Sequence, residues 1–185
     1  MTCRLAISTI VDIMNSLGPL DRLNLKEPPM AKATPPNQLW FLDSLVTVLV
    51  STSEGQDGLS IIEHRMPHGS SPPMHIHRTE DEVFHILEGE YRLKFQDKEL
   101  RAGPGEVLIA PKGVPHTYRV ESASGGRCLT ITARGDFERF VLAIARPAER
   151  SELPAAAGPP PPEAIQALKS MAAKYGIDLV GPPLQ

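Results

Sequence analysis

Four residues of this chain, His75, His77, Glu82 and His116, could together ligate a divalent metal. His75 and His77 form a His-x-His pair, and residues two apart on a strand point to the same face, so both imidazoles can reach one ion. Glu82 follows after the turn-length segment Arg78-Thr79-Glu80-Asp81 and opens the run Glu82-Val83-Phe84-His85-Ile86-Leu87, which reads as the next strand. His116 comes later, just after Pro115, inside a second apolar run. Three imidazoles and one carboxylate suit Fe, Mn, Ni, Co, Cu or Zn better than Mg or Ca, so one divalent transition metal is the expected cofactor. Glu80 offers another carboxylate, but its place in the turn reads as solvated. His64, His68 and His85 read as surface or interface residues.

Glycines and prolines flank these groups at fixed offsets. Gly69, His75, His77, Glu82 and Gly89 meet the pattern G-x5-H-x-H-x4-E-x6-G. Gly105, Pro111, Gly113 and His116 meet G-x5-P-x-G-x2-H-x3-N, which fails only at its last place, where Val120 stands for Asn. In these nine positions the chain resembles the cupin superfamily. The motif Asn is not a ligand, so its replacement bears on a supporting hydrogen bond and not on the metal.

Many short runs rich in branched and aromatic residues, separated by Gly/Pro turns, indicate an antiparallel sandwich or barrel. The expected strands include Leu39–Leu42, Leu45–Val50, Leu59–Met66, and segments 74–78, 82–88, 90–96, 106–110, 115–121 and 127–133, with a turn at Asp97-Lys98. The resemblance selects an all-β fold among these, the double-stranded β-helix of a jelly-roll cupin barrel, over residues 37–134. An amphipathic helix is expected over residues 3–17. It leads into a proline-rich stretch, and residues 1–36 read as an N-terminal arm whose first 29 residues could reflect a mis-assigned start, because Met30 stands just before the recognisable domain. Residues 135–185 read as a C-terminal helical tail. Asp136 caps a first helix, 154–162 is a proline-rich linker, and Pro162-Glu163 opens a second helix ending near Tyr175-Gly176.

Composition narrows the partners. The chain has 185 residues, the length of about one domain, with 19 basic and 22 acidic residues mixed along it. No basic stripe suggests nucleic acid, and no apolar run approaches the roughly 20 residues of a membrane helix. Asp12 interrupts the short apolar start, so no signal peptide is expected. Cys3 and Cys128 form no disulfide framework, and a cytoplasmic location is expected. The strand edges of such a barrel need covering, and a homodimer built through them and the arm is expected.

Within the superfamily, the segments Pro72–His77, Phe84–Glu90, Phe137–Phe140 and Tyr175–Ile177 look like the quercetin 2,3-dioxygenase-like group of small bacterial cupins. That resemblance implies oxidative opening of a small flavonol-like or enol substrate, with Glu82 as both ligand and base. Phe84 and Ile86 share the strand face of Glu82, and Tyr118 that of His116, so all three are candidates either for plain core packing or for the wall of the substrate pocket. The alternatives are a non-catalytic small-ligand or sensor cupin, and a non-oxidative metal-dependent isomerase or cyclase.

Overall fold

The computed structural model describes residues 38–185. The expected helix over 3–17 and the arm lie outside the described residues. Twelve strands run as β1 (Gln38–Phe41), β2 (Ser44–Val50), β3 (Leu59–Met66), β4 (Pro73–His77), β5 (Glu82–Glu88), β6 (Tyr91–Phe95), β7 (Lys98–Ala102), β8 (Val107–Ala110), β9 (His116–Val120), β10 (Gly126–Ala133), β11 (Arg146–Pro147) and β12 (Ile177–Pro183). Helix α1 (Asp136–Ile144) separates β10 from β11, and helix α2 (Pro162–Lys174) precedes β12. One sheet has the order β11-β1-β2-β3-β10-β5-β8 and the other β12-β4-β9-β6-β7, with every pairing antiparallel. This is the two-sheet jelly roll expected from the sequence.

Alternation drives the layering. β5 buries Glu82, Phe84 and Ile86 on one face, and β3 buries Ser60, Ile62, His64 and Met66. Side chains from both sheets, among them Met66, Phe84, Ile86, Leu93 and Val120, form one core cluster. A second cluster packs Phe41, Val46 and Ile62 against Phe137, Phe140 and Val141 of α1, Ala172 of α2 and Ile177 of β12. The second cluster shows why the C-terminal helices stay on the barrel: each buries apolar surface worth roughly 25 cal/mol per Å2 removed from water.

The chain departs from its sequence pattern in two strands. Residues 177–183 form β12, an edge strand beside β4, with Ile177 opposite His77 and Leu179 opposite His75. The tail is therefore not helical to its end. Gly181-Pro182-Pro183 hid the strand, because prolines argue against a strand everywhere except at an edge. β7 was missed because its side chains, Lys98 to Arg101, are exposed and lack alternation, as suits a guarded edge. It pairs Lys98 with Phe95, so the turn is Gln96-Asp97, one residue earlier than expected.

Turn chemistry ties the two motifs together. Gly113, at φ +81, donates its N–H to the His77 carbonyl at 2.8 Å, and the Lys112 N–H reaches the Asp81 carboxylate at 2.7 Å. Gly89 admits no side chain, since a Cβ there would lie 2.6 Å from the Gly125 carbonyl oxygen. Val120 is fully buried in the core, and its backbone bonds Gly69 and Ser70 at 2.9 and 3.0 Å. The motif ends are therefore joined by main chain at the position where the motif Asn is missing.

Candidate metal centre

β4 places His75 and His77 on its inward face, and His116 of β9 is the direct cross-strand partner of His75. Glu82 enters from β5 in the opposite sheet, so the four groups bridge the two layers of the barrel. All four are buried, and their candidate ligand atoms lie within 4.8 Å of one another.

The orientation of each ring is set from behind. The Nδ1 of His75 lies 2.8 Å from the Pro73 carbonyl oxygen, and that of His116 lies 2.9 Å from the Val114 carbonyl oxygen. A carbonyl only accepts, so both rings donate from Nδ1 and turn Nε2 toward the cluster. The Nδ1 of His77 faces Glu80 Oε1 at 3.3 Å. Every Nε2 then converges on Glu82 Oε2, at 3.7 Å from His75, 3.3 Å from His77 and 2.9 Å from His116. The Nε2 of His77 is buried and has no well-formed hydrogen bond. Three imidazoles held by outer acceptors, each with its Nε2 aimed at one carboxylate oxygen, are the donor set of a divalent transition metal, and the residues fit such an ion.

Glu80 is a correction. The turn position reads as solvated, yet Glu80 is only 2 % exposed. Its Oε1 accepts the Phe137 backbone N–H at the start of α1 at 2.7 Å as well as facing His77. The acceptor behind His77 is thus a carboxylate, which orients the ring and raises its basicity. No local signal in the sequence marks this, because α1 arrives from 57 residues away.

His64 is a second correction. It is not a surface or interface residue but is 4 % exposed, between the rings of Phe41 and Phe137. The signal was present: His64 shares the inward parity of Ile62 and Met66. His68 is exposed and His85 half-buried, away from the cluster.

A cavity of about 70 Å3 adjoins His75, His77 and Glu82, and it shares walls with an outer groove of about 910 Å3 between β1, α2 and β12. Tyr118 lines both, although its hydroxyl donates to Met66 Sδ at 3.1 Å. Phe84 and Ile86 do not line either cavity. Both are core residues, and Phe84 packs its ring 6.2 Å from that of His116. The walls come instead from Phe41, Phe137, Phe140, Leu168 and Leu179, on elements that approach from distant parts of the chain.

The cupin domain family matches residues 62–132, from β3 to β10, a span that contains all four clustered groups. Residues 62–132 are a cupin domain. Over 102 residues, 55% of its length, the chain is 26% identical to quercetin 2,3-dioxygenase of Bacillus subtilis (strain 168), and it spans 30% of that relative. Among solved structures, it resembles the Cnp3 cupin domain of Schizosaccharomyces pombe at 18% identity, covering 57% of this chain and 74% of that one with a TM-score of 0.47. An RmlC-like cupin from Shewanella frigidimarina NCIMB 400 gives 18% identity, 55% and 88% coverage and a TM-score of 0.47. Among the described residues, no helix is long and apolar enough to cross a membrane.

The electrostatics of the metal-free cluster predict its pH behaviour. Burial pushes the Glu82 carboxyl up, but the charge on His77 and the three imidazole contacts outweigh it and hold the group well below the usual carboxylate range. Burial opposes a charge on His77, while Glu82 and Glu80 outweigh burial and raise its pKa from 6.5 to about 9. The folded value exceeds the unfolded one. The stability that His77 contributes is therefore complete below 6.5 and lost as pH rises through about 9. A metal takes only the neutral ring, so metal affinity should climb over that same interval. Chelator competition across it should show the rise, and Glu80→Gln should end the rise at lower pH. An affinity that is flat in pH for both proteins would contradict this account.

Proposed function

We propose that this cupin is a metal-dependent dioxygenase acting on a small flavonol-like or enol substrate. The observation that carries the reading is the convergence of three Nε2 atoms on one buried carboxylate beside an apolar cavity. The similarity to a quercetin 2,3-dioxygenase supports the choice of reaction.

His75, His77 and His116 would hold the metal, and Glu82 would complete the set. A redox-capable divalent metal there supplies Lewis acidity and a route for electrons to oxygen. Glu82 directs Oε2 at all three imidazoles, which leaves Oε1 as the oxygen able to take a substrate hydroxyl proton. An ionised carboxylate is in the correct state to act as that base. Phe41, Phe137 and Phe140 give the cavity an apolar aromatic lining that suits a flat aromatic ligand.

Protein reconstituted in turn with Fe, Mn, Ni, Co and Cu should consume oxygen with quercetin or a simpler enol in at least one metal form. If no form consumes oxygen on any enol, the non-catalytic ligand-binding reading replaces this one. Turnover of an enol without oxygen uptake points to the isomerase or cyclase class.

A further inference from the structure

His64 is a polar group of the cavity that the metal chemistry leaves unused. It lines both the inner cavity and the outer groove. Its ring stacks on Phe137 at 5.9 Å and meets the edge of Phe41 at 6.4 Å. Its Nε2 is buried with no hydrogen-bond partner among the described residues. Leaving a buried polar group unpaired costs about 1–3 kcal/mol, so an apolar side chain here would serve the fold better.

The other walls narrow the ligand class. Among the described residues, the lining of the inner cavity has no lysine or arginine; its charged or titratable groups are His64, His75, His77, Glu82 and the phenol of Tyr118. Lys169 and Asp43 appear only along the outer groove. Beside His64, a carboxylate or phosphate would find no lysine or arginine among the described lining residues. Burial lowers the pKa of His64 to about 4, against a smaller opposing effect of Glu82, so the ring is neutral and offers one N–H donor and one acceptor nitrogen.

We propose that His64 is a substrate-binding residue that hydrogen-bonds a hydroxyl or carbonyl group of a neutral, largely apolar ligand seated between the metal ligands and the aromatic side chains of α1. This rests on reading the cluster as a metal-dependent active site. The ring sits against Phe137, which lies in the first turn of α1 and donates its backbone N–H to Glu80. His64 therefore fixes a second point of the ligand, separate from the group that Glu82 deprotonates.

The test uses the zinc-loaded protein, with quercetin and acetylacetone as probes in calorimetric titration, alongside thermal unfolding. His64→Leu should weaken binding about tenfold, the loss of one hydrogen bond, and His64→Gln should recover affinity to within about threefold of wild type. The unfolding midpoint of His64→Leu should equal or exceed that of wild type, because an unpaired buried group has been removed. Unchanged affinity in His64→Leu overturns the assignment and leaves the dioxygenase reading standing. So does weaker binding that comes with a lower midpoint and no recovery by Gln, the pattern of a purely structural residue. If binding depends on His64 but no metal form consumes oxygen, His64 keeps its role and the dioxygenase reading fails. If wild type binds neither probe saturably, both fall.

Discussion

His77→Ala is expected to remove most of the bound metal while leaving a folded barrel. The ring is 1 % exposed, its Nε2 has no well-formed hydrogen bond, and Glu80 stands behind it. Loss of an outer acceptor alone typically costs 10- to 100-fold in metal affinity, and loss of the ligand itself should cost more. The substitution also leaves Glu80 buried with only the Phe137 N–H, which will lower stability by a separate route. His75→Ala separates the two effects, since its Nδ1 partner is the Pro73 carbonyl and no second carboxylate is orphaned. Both variants should lose metal by elemental analysis, and His77→Ala should be the less stable by thermal unfolding. Wild-type metal content in either variant would remove that residue from the ligand set.

Glu82→Gln should have the opposite profile, with metal largely kept and turnover lost. The amide retains an oxygen at the meeting point of the three imidazoles but cannot accept a proton. Loss of a general base typically costs about 100- to 10,000-fold in rate. The substitution also removes the negative charge that keeps His77 protonated in the metal-free protein, so metal uptake should become less dependent on pH. Oxygen consumption with quercetin, measured at equal metal loading, checks the first claim. Full activity in Glu82→Gln would preserve the enzyme and eliminate the proposed base.

The four clustered groups were legible in the sequence because strand periodicity is rigid. A His-x-His pair on a strand must face one way, and the motif glycines fix where each turn ends. The jelly roll was legible for the same reason. What local pattern could not show was the far side of the site. Glu80 lies in a turn and becomes buried only when the N-terminus of α1 closes over it. The cavity walls come from β1, α1, α2 and β12, elements with no local relation to the motif strands. Phe84 and Ile86 share the parity of Glu82, but parity decides only the face. Distance along the strand carries both away from the cavity into the core. His64 was misread even though its strand alternates cleanly, because its polarity was given more weight than its position among buried neighbours.

The proposed chemistry requires the cluster to hold one ion. Its most direct test is the metal content of the wild-type protein purified without a histidine tag, by elemental analysis, before and after incubation with each candidate transition metal. The expected result is about one metal per chain, removable by chelator and restored on addition, with thermal stability rising when the metal is bound. Protein that remains metal-free after incubation, with an unchanged unfolding midpoint, would contradict it.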